Sequence, residues 1–450
     1  RRNLEFSYLA TSNHYLSDVV GLVWLGVMLP ELEAAREWLE FGLRELSSEM
    51  DKQVTADGAD YEASTGYHRL VLELFLYTFI LCRENNVEID EKYWKKLRAM
   101  LDYVCAYLRP DGRAPLIGDT DSGQVLPICK RAADDHAYLL ALGAVVFDEP
   151  RFKRAAKKHS EGLLWILGEE GVRKFESLSD SQEDKGSQGF AEAGTYIMRD
   201  GDLYLLFNAS GSGVGGRGSH GHNDALSIEV SACGSSFITD PGTYIYSADL
   251  RERHRFRSVA YHSTVEFDGA EQNSTDQNMP FVIGNEAHPR VLKWETGEET
   301  DIVVAEHYGY KRLAQAVTHR RIVYFKKRDR CWVIEDTFMG EGEHELNFRF
   351  HFTETLEVSL RTEGIVRAYD KMTGARLFVA ALHAENAPEF EPQFVSRDYG
   401  DKRASNSACW SVRASAASNF LWIIVPACAS EDEEKRLGLI ATYSTIEKRG

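Results

Sequence analysis

The stretch "SLSDSQEDKGSQG", Ser177 to Gly189, divides the chain into two rhythms. It is polar and keeps neither a helical nor a two-residue apolar repeat, which marks it as a connector. Upstream, from Tyr15 to about Gly168, apolar residues return at helical spacing, as in "AAREWLEFGLRELSSEM" and "YWKKLRAMLDYVCAYL", with stops at Pro30 and at "RPDG". Downstream come short alternating runs separated by turn residues, among them "DLYLLFNA", "ALSIEVSA", "RRIVYFKK", "CWVIEDTF" and "NFLWIIVPA". The pattern predicts a multidomain α + β chain: a helical domain over 1–176, a connector over 177–189 and a large antiparallel β-sandwich over 190–450.

Composition narrows the function classes. At 450 residues the chain exceeds what one core usually serves. Lys plus Arg number 52 against 70 for Asp plus Glu, a net charge of −18, which argues against a nucleic-acid partner. The longest apolar stretches, "DVVGLVWLGVMLP" and "NFLWIIVPACA", fall short of the roughly 20 residues that span a bilayer, so no membrane span is expected. Seven cysteines occur without a C-x-x-C pair, several in apolar runs, and read as buried thiols rather than as a disulfide framework or thiolate metal site. Arg1 in place of Met implies a fragment or a processed chain. Nothing in the sequence specifies an oligomeric state.

"GRGSHGHNDALSIEV", Gly216 to Val230, places His220 and His222 two apart ahead of an alternating apolar run. On an extended strand both would share a face. Asp240 in "SSFITDPGTY" and His262 in "AYHSTVEF" stand at the edges of other apolar strands, and a His/Asp/His set suits zinc. The other reading is that strand-edge histidines hydrogen-bond to backbone. In the helical half, "SNHYLSD" supplies Asn13 and His14, and "DGADYEASTGYHRL" supplies Glu62, Ser64, Tyr67 and His68 at a helix start, where Ser or Thr caps and Tyr packs. "GDTDSGQ", Gly118 to Gln124, hints at a calcium loop, but the twelfth position counted from Asp119 is Lys130 where a bidentate Glu is required. It reads as an ordered polar loop.

Taken in order, "SNHYLSD", "DGADYEASTGYH", "PLIGDTDSG", "EAGTYIMRD", "SHGHNDALSIEV", "FITDPGTYIY" and "RFRSVAYHSTVEFDG" resemble the heparinase II/III family of polysaccharide lyases, from about Ser12 to Gly269. The resemblance implies an α/α toroid followed by an antiparallel β-sandwich. The toroid is expected to be partial, since the chain begins a short way before Asn13 where relatives have further helices. It also implies β-elimination on a uronic-acid-containing anionic polysaccharide or oligosaccharide, giving a 4,5-unsaturated uronate.

Carried over, the neutralisers of the substrate carboxylate fall on Asn13 and His14, the catalytic tyrosine on Tyr67, and the sandwich-domain active-site histidine on His220. A second active-site tyrosine falls near Tyr246. The structural zinc ligands fall on His222, Asp240 and His262. Expected substrate-binding residues are His68, Arg217, Arg253 and Arg257; the last two belong to "RERHRFRS", which reads equally as a solvated face. The family implies a periplasmic or secreted location. Two other functions remain open: a carbohydrate-binding protein that has lost turnover, and a metal-dependent hydrolase or oxygenase centred on His220, His222 and Asp240.

Overall fold

The computed structural model describes residues 3–179, 186–361, 364–382 and 386–447. Residues 180–185 of the expected connector lie outside them. The chain divides into two compact units, one running up to Leu108, resuming at Gly112 as far as the connector and including Gly213–Gly215, the other taking Arg109–Asp111 and the remainder.

The first unit is helical: α1 (Asn13–Met28), α2 (Ala35–Gln53), α3 (Thr65–Glu84), α4 (Glu91–Tyr107), α5 (Ala137–Phe147), α6 (Pro150–Ala156) and α7 (Glu161–Ser177). Neighbours in sequence pack as neighbours in space, α1 on α2, α3 on α4, α4 on α5, α5 on α6. The starts follow local chemistry, with Ser12, Ser64 and Asp90 each accepting a backbone N–H in the first turn. Helix α3 is buried on nearly all sides, which is why "LVLELFLYTFIL" lacks a polar stripe.

In the second unit every ladder between named strands is antiparallel. Among the described residues, one sheet joins β1 (Gln188–Phe190), β2 (Thr195–Asp200), β3 (Leu203–Asn208), β4 (Ser227–Ala232) and β5 (Ser235–Ile238) in sequence order. The short helix α8 (Leu250–Phe256) and strand β6 (Val265–Phe267) follow. Then come β7 (Arg290–Glu295), β8 (Thr300–His307), β9 (Val317–Lys326), β10 (Cys331–Gly340), β11 (Glu343–His351), β12 (Glu357–Leu360), β13 (Val366–Tyr369), β14 (Arg376–Ala381), β15 (Glu389–Val395), β16 (Arg403–Ser415), β17 (Asn419–Ala427) and helix α9 (Glu433–Glu447). These form an eight-stranded sheet, β12-β13-β14-β17-β10-β9-β8-β7, and a four-stranded one, β15-β16-β11-β6.

One core unites the sheets around the fully buried Trp332, Trp410 and Trp422, the last two with ring centroids 5.0 Å apart. Strand β10 is apolar on both faces, since Trp332 and Ile334 point into that core while Cys331 and Val333 enter a second cluster with Phe378, Ile423 and Val425. Helix α9 closes this second cluster with Ile440, Leu437 and Tyr443. A strand covered on both faces reads as a continuous apolar run, which is what "CWVI" and "LWIIV" show.

Cys233 and Cys428, 195 residues apart, form a disulfide with their Cα atoms 5.1 Å apart. This corrects the expectation of unpaired thiols throughout; the bond ties the β4–β5 turn to the exit of β17. The other five cysteines are free.

Candidate active site and metal centre

In the helical unit, the start of α1 is locked to the segment before α3. Asn13 is buried, its amide nitrogen lies 3.1 and 2.9 Å from the two carboxylate oxygens of Glu62, and its backbone N–H donates to the same group at 2.9 Å. Its amide hydrogens are committed within the protein. The exposed member of the pair is His14, whose Nδ1 is 2.7 Å from Glu5 Oε2.

Ser64 caps α3 by accepting from the Tyr67 N–H at 3.1 Å, which sets the turn carrying Tyr67. Tyr67 is 6% exposed and its hydroxyl donates to Asp121 Oδ2 at 3.3 Å. Beside them Asp60 is held above the usual carboxylate range, first by burial and then by Glu62. The expectation that His68 binds substrate is corrected. It is 1% exposed, its Nδ1 accepts from the Asp60 N–H at 3.1 Å, and its Nε2 lies 3.2 Å from the Met100 carbonyl. Burial pushes its pKa down to about 4, so a neutral imidazole pins α3 to α4.

In the second unit His222, Asp240 and His262 offer ligand atoms all within 4.8 Å of one another, and all three are buried. His222 Nδ1 lies 3.3 Å from His262 Nε2, which lies 3.3 Å from Asp240 Oδ2. Donors set tetrahedrally about 2.0–2.1 Å from a zinc ion lie about 3.3–3.4 Å apart, so both distances match that edge. His262 Nδ1 is 2.8 Å from the Ser258 carbonyl. That bond places the proton on Nδ1 and leaves Nε2 as a lone pair facing a carboxylate. Burial, then His222, holds the His262 pKa well below its usual value, so protonation does not relieve the clash of acceptors. A cation does, and the residues present fit zinc.

His220 is not among these ligands, so the geometry gives the hydrolase or oxygenase reading, which needs it as one, no support. Nor do His220 and His222 lie on a strand: β4 begins only at Ser227. The loop before it is held irregular by buried amides. Asn223 Oδ1 accepts from Asn273 N–H and Nδ2, and its own Nδ2 donates to Glu271 at 2.7 Å. The Asn208 amide donates to Asp224 at 2.8 Å. Gly221, between the histidines, passes so close to Ser212 that a Cβ there would sit 2.7 Å from its carbonyl oxygen. The two imidazoles are therefore free to take separate surroundings, and His220 packs 6.1 Å from the Phe281 ring.

Beneath the loop, fully buried Arg321 donates to the carbonyls of Leu226 at 2.8 Å and Ser263 at 3.0 Å, and pairs with Asp336 through Nε at 2.7 Å and Nη2 at 3.0 Å. His319 and the Trp422 indole complete the shell of Asp336 at 2.7 and 3.2 Å. Burial alone would raise the Asp336 pKa; Arg321 and His319 hold it low.

The run "RERHRFRS" lies in helix α8 and the two residues after it, and both readings of its arginines, as substrate-binding or as a solvated face, are corrected for Arg253 and Arg257. Arg253 and Arg257 are both fully buried. Arg253 donates to the Pro280 carbonyl at 2.9 Å, and Arg257 donates to the carbonyls of Pro280, Met279 and Val282. They bind the chain's own backbone, so they fix the segment that carries Phe281 rather than reach a glycan. Arg217 is exposed. Tyr246 is half-buried, its ring 5.1 Å from both Phe281 and Tyr399.

Residues 182–434 match the family model described as Heparinase II/III-like, C-terminal, and residues 2–135 match Heparinase II/III N-terminus. The chain belongs to the heparinase II/III family. Heparin-sulfate lyase of Pedobacter heparinus is 24% identical over 364 residues, covering 78% of this chain and 48% of the relative. The heparin-sulfate lyase of Bacteroides thetaiotaomicron is 23% identical over 459 residues, covering 95% and 59%. The chain thus spans about half to three fifths of these relatives' lengths. Among solved structures, a heparinase III superposes with a TM-score of 0.76 at 20% identity, over 96% of this chain and 63% of that one. Heparan sulfate lyase from P. heparinus superposes at 0.71 with 23% identity, over 95% and 62%. The heparinase fold is accordingly the expected one, helices of an α/α toroid followed by an antiparallel β-sandwich.

Two residues of the helical group carry no local signal of a role: Glu62 stands two residues before the Ser64 cap, and Asp121 stands in a polar loop whose spacing resembles a calcium site.

Proposed function

We propose that this chain is a polysaccharide lyase that cleaves a uronic-acid-containing anionic glycan by β-elimination, with a heparan-sulfate-type glycosaminoglycan the first substrate to try. The observation that carries the reading is family membership along both halves of the chain; the sequence resemblance assigns Tyr67, His14 and His220 to the family's reactive positions. The relatives' printed activity, heparin-sulfate lyase, supports it.

The chemistry asks for three things. The proton on C5 of a uronate is weakly acidic, so the adjacent carboxylate must be neutralised and the developing enolate-like charge stabilised. His14, exposed at the start of α1, suits that task better than Asn13, whose amide is engaged by Glu62. Tyr67 exchanges protons with C5 and the glycosidic oxygen, and His220 assists.

His222, Asp240 and His262 would hold zinc. A bound ion would supply charge compensation and cross-link the loop before β4 to the segments at Asp240 and His262, and the proton transfers are left to the side chains. The Cys233–Cys428 bond supports export to an oxidising compartment, periplasmic or extracellular.

The test is ultraviolet absorbance of the unsaturated uronate during incubation with a panel of uronic-acid glycans. Wild type should produce it, and Tyr67→Phe and His220→Ala should lose it by about 100-fold or more. Glycan binding without product in the wild type would instead establish the carbohydrate-binding reading.

A further inference from the structure

The segment from Pro115 to Val125, which contains the loop Gly118 to Gln124, is hydrogen-bonded along the turn that carries Tyr67. Ser64 Oγ donates to the Asp119 carbonyl, and the Thr65 N–H and hydroxyl donate to the Ile117 and Pro115 carbonyls at 3.0 and 2.8 Å. A Cβ on Gly66 would lie 2.5 Å from Thr120 Cβ and 2.8 Å from the Asp119 carbonyl oxygen, so the loop lies directly against the helix. Further along α3, Arg69 donates to the Gly123 carbonyl, and Glu73 accepts the Val125 N–H at 2.8 Å. Within this splint Asp121 is itself fixed: Oδ1 accepts the Gly123 N–H at 2.9 Å, leaving Oδ2 on the Tyr67 hydroxyl.

We propose that Asp121 is the positioning residue and proton partner of Tyr67, aiming the hydroxyl and accepting its proton while the phenol oxygen accepts the substrate's. The inference rests on the lyase reading and deepens it. A phenol ordinarily ionises at about pH 10, so a tyrosine base working at neutral pH needs either a cation or an acceptor for its own proton. Asp121 supplies the acceptor. In the elimination the C5–H bond breaks and its electrons become the C4=C5 double bond, while the C4–O electrons leave on the glycosidic oxygen. The C5 proton moves onto Tyr67 Oη as the Tyr67 proton moves onto Asp121 Oδ2. The reverse transfers deliver one proton to the glycosidic oxygen, and both residues end as they began. The other charged groups at this corner are Asp119 on the loop, Arg69 and Glu73 on α3, and Arg131 and Asp135 in the segment before α5.

The experiment compares wild type, Asp121→Asn, Asp121→Glu and Tyr67→Phe, each verified as folded by its melting curve. With ring-labelled tyrosine, the carbon resonance missing in Tyr67→Phe is assigned to Tyr67 and followed against pH. In Asp121→Asn its midpoint should fall by about half a pH unit or more, because the carboxylate that favours the neutral phenol is gone. On a cleaved glycan the same variant should lose about 10- to 100-fold in kcat with KM within about threefold, and Asp121→Glu should recover part of the loss. An unmoved midpoint overturns the proposal whatever the activity. A moved midpoint in a wild type that cleaves no glycan keeps the proton contact and fails the lyase reading instead.

Discussion

His262 Nε2 stands 3.3 Å from Asp240 Oδ2 with its other nitrogen occupied by the Ser258 carbonyl at 2.8 Å. Two acceptors face each other in a buried place, an arrangement that costs free energy unless a positive charge lies between them. Purified protein should carry about one zinc per chain by elemental analysis. Removing it with a strong chelator, or by His222→Ala or His262→Ala, should lower Tm by about 5 °C or more, roughly 2 kcal/mol in a unit of this size. A metal-free protein with an unchanged melting curve would reject the zinc assignment.

Arg321 reaches both loops that carry the imidazole ligands, through the carbonyls of Leu226 and Ser263. Removing Asp336 leaves a buried guanidinium without its counter-charge, so Asp336→Ala should cost about 3–5 kcal/mol in urea unfolding. An apolar replacement of both partners often restores stability in other ion pairs. Here Arg321→Met with Asp336→Leu should remain deficient in zinc affinity, because the two carbonyls lose their donor. Wild-type zinc affinity in the double variant would show that the pair serves the core alone.

The dependence of stability on pH should contain two opposed contributions. Burial raises the Glu271 pKa to about 7, against roughly 4.3 in the unfolded chain. The folded form therefore holds more protons between those limits, and its contribution is fullest below about pH 4 and is lost as pH rises towards 7. His68 runs the other way: at about 4 folded and roughly 6.5 unfolded, its contribution is full above about pH 6.5 and is lost as pH falls through 4. Glu271→Gln should thus gain on wild type as pH climbs from about 5 to 7, by on the order of 2–4 kcal/mol at most, then run parallel. Parallel urea midpoints across the whole range would refute the buried-acid assignment.

Thiol counting examines the disulfide directly. Denatured without reductant, the chain should present five thiols, and after reduction all seven. Cys233→Ser should destabilise the second unit by about 2–5 kcal/mol. Seven thiols before reduction would remove both the bond and the support it lends to export.

The change from helices to strands was legible because hydrophobic period is a property of neighbouring residues, and so was the Ser64 cap. The metal set came from the family resemblance, since no local pattern joins His222 to Asp240 and His262. What stayed hidden depends on distant partners. The loop at His220 looks extended until Asn223 is seen with Asn273 and Asp224 with Asn208. The arginines of α8 look like a surface run until the carbonyls of Met279, Pro280 and Val282 take them. Cys233 and Cys428 are 195 residues apart, beyond any spacing rule. Asp121 carries no local signal beyond a calcium-like spacing, although its carboxylate lies against the tyrosine that the family resemblance singles out.

Helix α9 bears on how the protein can be handled. The family match ends at residue 434, within the first turn of a helix that runs from Glu433 to Glu447. A boundary drawn at that match would cut away Leu437, Ile440 and Tyr443 and uncover Val333, Phe378, Ile423 and Val425 on one continuous sheet face. An oily surface of that kind, presented by the three neighbouring strands β14, β17 and β10, invites self-association. The shortened protein should collect in the insoluble fraction even with every side chain of the proposed mechanism intact, so the final turns of the chain belong in any recombinant version.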